Sequence, residues 1–449
     1  MPGFPFSRQA ALLVVACVFF GSALGRNSAQ AEKNYAALSN PQCLEMLNQV
    51  ESDIKQYYYD PALRGFDLDK RFETARHEIA ASKSQDESLL SIYAAVAAFS
   101  DSHTRFIPPI RPYAVDYGFL LQAIGDSDCY VVAVKPGSDA EMKGLKAGDQ
   151  LLALNGIKYT RADLRVAIDA YERIVPQSGL RLDVRSIDGK EKSVLISGKV
   201  ERGQAVVRGV DFREFLRHYH LRNRSRYFSI GKRVLVWKLP DFVFDPREIR
   251  EVFGKARSFD SLVLDLRGNP GGSQPTMDVF IGHLFDHDVK LFDKKGRKGL
   301  ETETARSAGN RAFSGKLVVL IDSRSGSASE ILARVVQLEK RGILIGDRSA
   351  GGVAEGMQYM HAVKLDATNV TQYGTSVTIG EVLMSDGKNL ENVGVTPDER
   401  VLPTPSDLSS GNDPALARAI QLAGRNVSPA DAGKIFPFHW PEKLTVEFN

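Results

Sequence analysis

The chain has 449 residues, enough for two or three domains. Its 43% hydrophobic and 25% charged residues are those of an ordinary globular protein. A net charge of +3 with no long basic block argues against a nucleic-acid footprint.

At the N-terminus, Arg8 precedes an apolar run over residues 10–24, and Ala29-Gln30-Ala31 supplies a small-x-small cleavage pattern. This is the pattern of a secretory signal over residues 1–31, removed before Glu32. The run is short for a membrane span, so the mature chain is expected without one; a retained signal would leave it anchored. Removing the signal takes away Arg8 and Arg26 and no acids, leaving a charge of about +1. Cys17 leaves with it, and Cys43 and Cys129, far apart in sequence, are expected unpaired. The histidines are scattered. Neither His218/His220 nor His283/His287 has companion cysteines or a His-Glu-x-x-His pattern, so no metal or other cofactor is expected.

Residues 39–100 carry helical periodicity. Asn40-Pro41 opens a helix expected to run to residue 59, and residues 68–82 and 87–100 supply two more. The tetrapeptide Asp101-Ser102-His103-Thr104 follows, with Pro108-Pro109 close behind, and is expected in a loop or at a strand start.

Residues 113–200 change character. Segments 130–134, 150–154 and 180–184 read as short strands, separated by Gly-containing turns, with one helix over 161–171. The stretch from Pro136 to Gly156 resembles the central stretch of a PDZ domain, and Tyr117-Gly118-Phe119-Leu120 resembles that family's carboxylate-binding loop. The resemblance implies a module that takes a peptide C-terminus as an added strand, its carboxylate caught by backbone N–H groups of Tyr117, Gly118, Phe119 and Leu120. A small β-domain without a ligand is the plainer reading.

From about residue 205, strands (233–237, 261–266) and helices (246–256, 276–285) alternate through Asp347, which argues for a largely parallel sheet. An apolar strand at 317–321 then runs through small polar residues into a helix over 328–338. Such a corner lifts a side chain off the sheet and aims the free N–H groups of the first helical turn at whatever binds there. Ser327 sits at it, as a helix N-cap or as a nucleophile with oxyanion donors at hand. Residues 404–414, rich in Ser, Pro, Gly and Asp, read as a linker, and 414–423 as a short helix.

Three motifs stand in one order: Leu264-Asp-Leu-Arg-Gly-Asn-Pro-Gly-Gly, the Ser327 corner, and Glu391-Asn-Val-Gly-Val-Thr-Pro-Asp. With the PDZ-like stretch, this order resembles the C-terminal-processing (tail-specific) serine peptidases over residues 40–402. The resemblance implies Ser327 as nucleophile and oxyanion donors at the N–H groups of Gly271 and Ala328. In the better-known Ser-Lys branch the base would fall on position 352, which here is Gly352. Arg348 cannot replace it, because a guanidinium does not deprotonate at usable pH. The Arg-x-x-Gly-Gly-Val pattern at 348–353 is closer to the tricorn-type Ser-His branch. That branch implies His103 as general base, oriented through the Ser102 hydroxyl by Glu391, with Asp101 as the rival carboxylate. Glu330 is expected only to support its helix N-terminus electrostatically, and Ser325 and Ser329 are rival nucleophiles.

The expected architecture is an α/β catalytic domain, mostly parallel sheet with flanking helices, with an inserted PDZ-like β-domain and an N-terminal helical segment. Its parts are a signal (1–31), a helical segment (32–110), the PDZ-like domain (111–202), the α/β peptidase core (203–402), and a linker and tail (403–449). The expected function is an exported (periplasmic or secreted) serine endopeptidase acting on polypeptides without a cofactor. The alternative is a catalytically dead peptidase fold serving as a peptide-binding scaffold, which the missing lysine motivates. Neither the oligomeric state nor the substrate is legible in the chain.

Overall fold

A computed structural model describes residues 37–111, 113–202, 225–366 and 369–440. The expected signal over residues 1–31 and the His218/His220 pair lie outside them.

The chain begins with α1 (Asn40–Tyr57), α2 (Leu68–Ala81) and α3 (Gln85–Ala97). In α1, Cys43, Met46, Leu47, Val50 and Ile54 recur at helical spacing and are all buried. They pack with Phe72 and Ile79 of α2, with Leu89 and Ile92 of α3, and with Tyr373 and Val377 of a distant strand. The helical segment therefore shares its core with the sheet that carries that strand.

After β1 (Arg105–Ile107) comes the β-domain: β2 (Tyr113–Asp116), β3 (Phe119–Ile124), β4 (Asp128–Val134), β5 (Gln150–Leu154), α4 (Arg161–Asp169), β6 (Gly179–Arg185), β7 (Glu191–Ser197) and β8 (Lys199–Arg202). The sheet order is β3-β4-β5-β6-β7, so β3 is an edge strand, and β2 pairs with β8 where the chain enters and leaves. The helix expected over 161–171 stays α-helical to Asp169 and widens into a π turn at Ala170–Ile174. Ile174 thereby joins the core of the N-terminal helices, while Tyr171 stays in the β-domain core.

The α/β core contains β9 (Arg226–Ile230), β10 (Val234–Lys238), α5 (Pro246–Ala256), β11 (Ser261–Asp265), α6 (Gln274–Gly282), β12 (Val289–Gly296), β13 (Gly299–Ala305), β14 (Lys316–Ile321), α7 (Ala328–Leu338), β15 (Ile343–Gly346), β16 (Ala354–Lys364), β17 (Val370–Met384) and β18 (Glu399–Arg400). One six-stranded sheet, ordered β18-β15-β14-β11-β10-β9, is parallel from β18 to β10 and antiparallel at β9. Its inner strands are buried on both faces, which is why 261–265 and 317–321 read as continuous apolar runs.

A second sheet corrects the expectation of one largely parallel layer. Strands β1, β17, β12 and β13 form it with β16 paired to β17, and every pairing is antiparallel. Its strands are rich in Thr, Lys, Glu and Gly, so they give no apolar run by which a strand is recognised in sequence.

The linker expected at 404–414 is also corrected. It contains α8 (Pro405–Ser410), whose Thr404 accepts from the Asp407 N–H while Asp407 accepts from the Thr404 N–H. Helices α9 (Pro414–Leu422) and α10 (Pro429–Gly433) follow. Leu416 and Ile420 of α9 cover the face of the parallel sheet that presents Val234, Val236, Val318 and Leu320. Cys43 and Cys129 are buried in different cores and form no disulfide. Among the described residues no helix is long and apolar enough to cross a membrane.

Candidate active site

The carboxyl end of the parallel sheet carries the Ser327 corner, as the ends of open parallel sheets carry sites generally. Beyond β14, Asp322 accepts N–H bonds from Gly268 and Arg324. The rival serines are occupied. Ser325 Oγ donates to Leu266 O at 2.8 Å and Ser329 Oγ to Asn269 O at 3.0 Å, both fully buried, so they stitch the corner to the glycine-rich turn. Ser327 is partly exposed and has φ +53°, a strained value for a residue with a side chain. Its N–H is held by Gly352 O at 2.9 Å and by a Glu330 carboxylate oxygen at 3.0 Å. The next N–H, of Ala328, has no partner among the described residues.

Glu330 does more than its expected service to the helix dipole. It is fully buried and also accepts from Ser349 Oγ, Gly351 N–H and Gly352 N–H. It clamps the loop at 349–352 onto the Ser327 corner. Burial pushes its carboxyl above the usual range, against the pull of these donors.

The glycine-rich turn faces Ser327. Gly271 has φ +103°, and a Cβ there would lie 2.6 Å from Ser327 Cβ and 3.0 Å from Ala328 N. Only glycine allows this approach. The expected oxyanion donor at Gly271 is occupied here: its N–H donates to Asn269 Oδ1 at 2.9 Å. The Asn-Pro turn explains this, since an asparagine side chain readily closes on the N–H two residues later. Beneath the turn, burial opposes ionisation of Asp265, but Arg267 and Lys238 prevail and hold its carboxyl far below the usual range. Arg267 also pairs with Asp413 at 2.7 Å, tying the turn to α9.

Ser102 and His103 lie on the loop between α3 and β1. Glu391 accepts the Ser102 N–H at 2.7 Å, the Ser102 hydroxyl at 2.8 Å and the Val353 N–H at 2.8 Å. Ser102 Oγ is 2.7 Å from His103 Nδ1. Asp101, the rival carboxylate, is engaged elsewhere: it accepts the N–H groups of His103 and Thr104 and the hydroxyls of Thr378 and Tyr58. It shapes the loop and forms no hydrogen bond with the ring.

These bonds set the imidazole tautomer. A serine hydroxyl donates one hydrogen. With Glu391 ionised, that hydrogen goes to the carboxylate, so Nδ1 must donate to Ser102 Oγ, and Nε2 carries the free lone pair. With Glu391 protonated the chain can run in reverse and leave the hydrogen on Nε2. Burial, followed by the charge of Asp101, raises the Glu391 carboxyl to about 7. Burial, then the charges of Arg105 and Arg165, lowers His103 to about 4, with Asp101 opposing.

Ser327, His103, Ser102 and Gly352 line one cavity of about 530 Å³ with Phe119 and Leu164 of the β-domain. Edge strand β3 and helix α4 form its far side. Tyr117 and Leu120 line it too, the Tyr117 hydroxyl donating to Gln177 O at 2.9 Å, and the Gly118 N–H donates to Asp116 Oδ1. The β-domain is fastened to the core at this cleft. Arg161 pairs with buried Asp347 at 2.7 Å, Gln122 donates to Asp322, and Ser323 donates to Ala123 O. Among the described residues, no group of His, Cys, Asp and Glu side chains is placed to hold a metal.

A family model described as peptidase family S41 matches residues 233–401, which include Ser327 and Glu391 but not Ser102 and His103. The chain is 25% identical over 333 residues to a carboxyl-terminal-processing protease of Picosynechococcus sp., covering 71% of this chain and 74% of that one. It is 25% identical over 360 residues to a tail-specific protease of Haemophilus influenzae, covering 74% of this chain and 48% of that one. The chain thus spans about three quarters of the first relative and about half of the second. The solved structure of mature CPAF is similar in fold, with TM-score 0.61 and 15% identity over 82% of this chain and 94% of that one.

Proposed function

We propose that this chain is a serine-type peptidase of family S41, an exported endopeptidase in which Ser327 is the nucleophile and His103 the general base. The observation that carries the reading is the hydrogen-bond chain Glu391–Ser102–His103 ending in the cavity that Ser327 lines. His103 Nε2 takes the hydroxyl proton as Ser327 Oγ bonds to the substrate carbonyl carbon. The Ala328 N–H receives the oxyanion, helped by a second donor once Gly271 releases Asn269. As the C–N bond breaks, His103 returns the proton to the leaving amine, and water then hydrolyses the acyl-enzyme by the same route. Ser102 and Glu391 position the ring. No step requires a metal or cofactor.

The module at 111–202 is read as PDZ-like. Its open edge strand β3, opposite α4, would take a polypeptide tail as an added strand and deliver the upstream chain to Ser327. Export rests on the signal pattern at 1–31.

A fluorophosphonate probe tests the mechanism. Labelling of wild type that disappears in Ser327→Ala and falls by about 10⁴-fold in His103→Ala is expected. Undiminished labelling in a folded His103→Ala variant would sink the histidine mechanism. Gly352 and the occupied Gly271 N–H favour the second reading, an inactive peptide-binding scaffold, and absence of labelling in folded wild type would decide for it.

A further inference from the structure

One face of α4 turns Arg161, Arg165 and Asp169 toward the cleft. Arg161 is docked on Asp347, and Asp169 pairs with Arg173 at 3.2 Å. The central residue, Arg165, makes no ion pair or hydrogen bond among the described residues. One of its terminal nitrogens stands 3.7 Å from where a Cβ on Gly352 would lie, beside Ser102. Arg105, on β1 two residues past His103, lines the same cavity and is likewise without an ion pair or hydrogen bond among the described residues. The other charged groups on the cavity are already committed or weak. Arg324 faces Asp322 at 3.8 Å, and Glu172 is pushed toward its neutral form by burial and then by Asp169.

Two guanidiniums thus line one cleft with no bonded counter-ion among the described residues. Burial, and after it the charge of Arg165, already lowers the Arg105 guanidinium, with the charge of Asp169 opposing. The arrangement is electrostatically unfavourable when empty and is relieved by an anion with the planar, bidentate geometry that a guanidinium matches best. We propose that Arg105 and Arg165 form a carboxylate subsite beside Ser327, selecting polypeptides that place a carboxylate within a residue or two of the scissile bond. Gly352 sets that location, because its carbonyl holds the Ser327 N–H while Arg165 stands over its Cα. The inference names a substrate class for the proposed peptidase and so rests on that reading.

The test separates the two. In a Ser327→Ala background, fluorescein-labelled decapeptides carrying Asp scanned along the sequence are compared by anisotropy with their Asn isosteres, each with a free-acid and an amidated C-terminus. At low salt the best Asp peptide should bind about tenfold or more tighter than its Asn partner. The ratio should fall to near one in Arg165→Met and in Arg105→Met, and Arg165→Glu should prefer the Lys-substituted peptide instead. Preference that follows the side chain, or the free terminus, identifies which carboxylate the subsite takes. Equal binding of acidic, free-acid and neutral peptides, or a ratio that survives in both Met variants, overturns the proposal. If wild type cleaves none of these peptides while the binding ratio holds, the peptidase reading fails and the subsite stands.

Discussion

The wall of the cleft that carries Ser327 is made from almost consecutive chain, whereas the wall that carries His103 is assembled from distant segments. Asp322, Ser325, Ser327, Ala328, Ser329 and Glu330 together supply the proposed nucleophile, the N–H next to it and its anchors, and the glycine-rich turn of the neighbouring strand packs against them. The base wall needs the loop at 101–104, Thr378 from β17, and Glu391, which lies 289 residues from Ser102. The first wall is limited by steric fit, because Gly271 and Ser327 nearly touch. The second is limited by one proton, because the state of Glu391 decides which imidazole nitrogen is free.

Short of removing Ser327 or His103, the largest expected effect strikes the crowded wall. Gly271→Ala would place a methyl 2.6 Å from Ser327 Cβ at a backbone φ of +103° that alanine rarely adopts. Either the corner or the turn must shift, taking the Ala328 N–H out of line. A loss in kcat/KM of about 10³-fold is expected, the scale of a lost oxyanion donor, with the fold intact by circular dichroism. A variant retaining a tenth of wild-type activity would show that the corner has slack the contacts do not reveal.

The next effect belongs to the relay. Above pH 7 Glu391 is anionic, Ser102 donates to it, and Nε2 of His103 can accept a proton. As pH falls through about 7 the carboxyl protonates, the donor order can reverse and activity should fall, well before His103 itself protonates near 4. The kcat/KM profile should therefore have an acid limb centred near 7. In Glu391→Gln the residual rate should be about 10²- to 10³-fold lower, and the step at 7 should be gone. A limb that stays at 7 in the variant would assign it to another group and remove Glu391 from the relay.

The same contrast explains what could be seen in the sequence. The strand–corner–helix pattern around Ser327 is local: an apolar run, small polar residues and a helix, all within reach of periodicity. The Glu391–Ser102–His103 connection is not local, and no spacing encodes it. It entered only through resemblance to a peptidase family, and the geometry now gives it a physical form. The clamp made by Glu330 is not legible locally either, because its partners, Ser349, Gly351 and Gly352, lie on another loop. The antiparallel sheet gives no such signal because β16 and β17 carry mixed polar and glycine residues, and Tyr373 and Val377 of β17 are buried by the N-terminal helical segment, far off in sequence. The capped helix at 405–410 has the composition of a linker because Ser, Pro and Asp serve caps as readily as loops.

The smallest effect is the control that makes the first one meaningful. Gly352 lies on the loop that holds the Ser327 N–H, where the Ser-Lys branch of the C-terminal-processing peptidases would place its base. It lacks a left-handed φ, and a Cβ there would meet Ser102 Cβ and Oγ at 3.5 Å and the Arg165 guanidinium at 3.7 Å, all ordinary contacts. Its backbone still performs its work after substitution, the carbonyl holding the Ser327 N–H and the N–H reaching Glu330. Gly352→Ala should therefore keep kcat/KM within about threefold and raise stability by about 0.4–1 kcal/mol through the less flexible unfolded chain. Thermal unfolding and steady-state cleavage would read both. A Gly-to-Ala change that is nearly silent at 352 and severe at 271 would place the constraint at the Ser327–Gly271 contact. Equal losses at both positions would mean instead that the whole loop at 349–352, held by Glu330, transmits small displacements to the nucleophile.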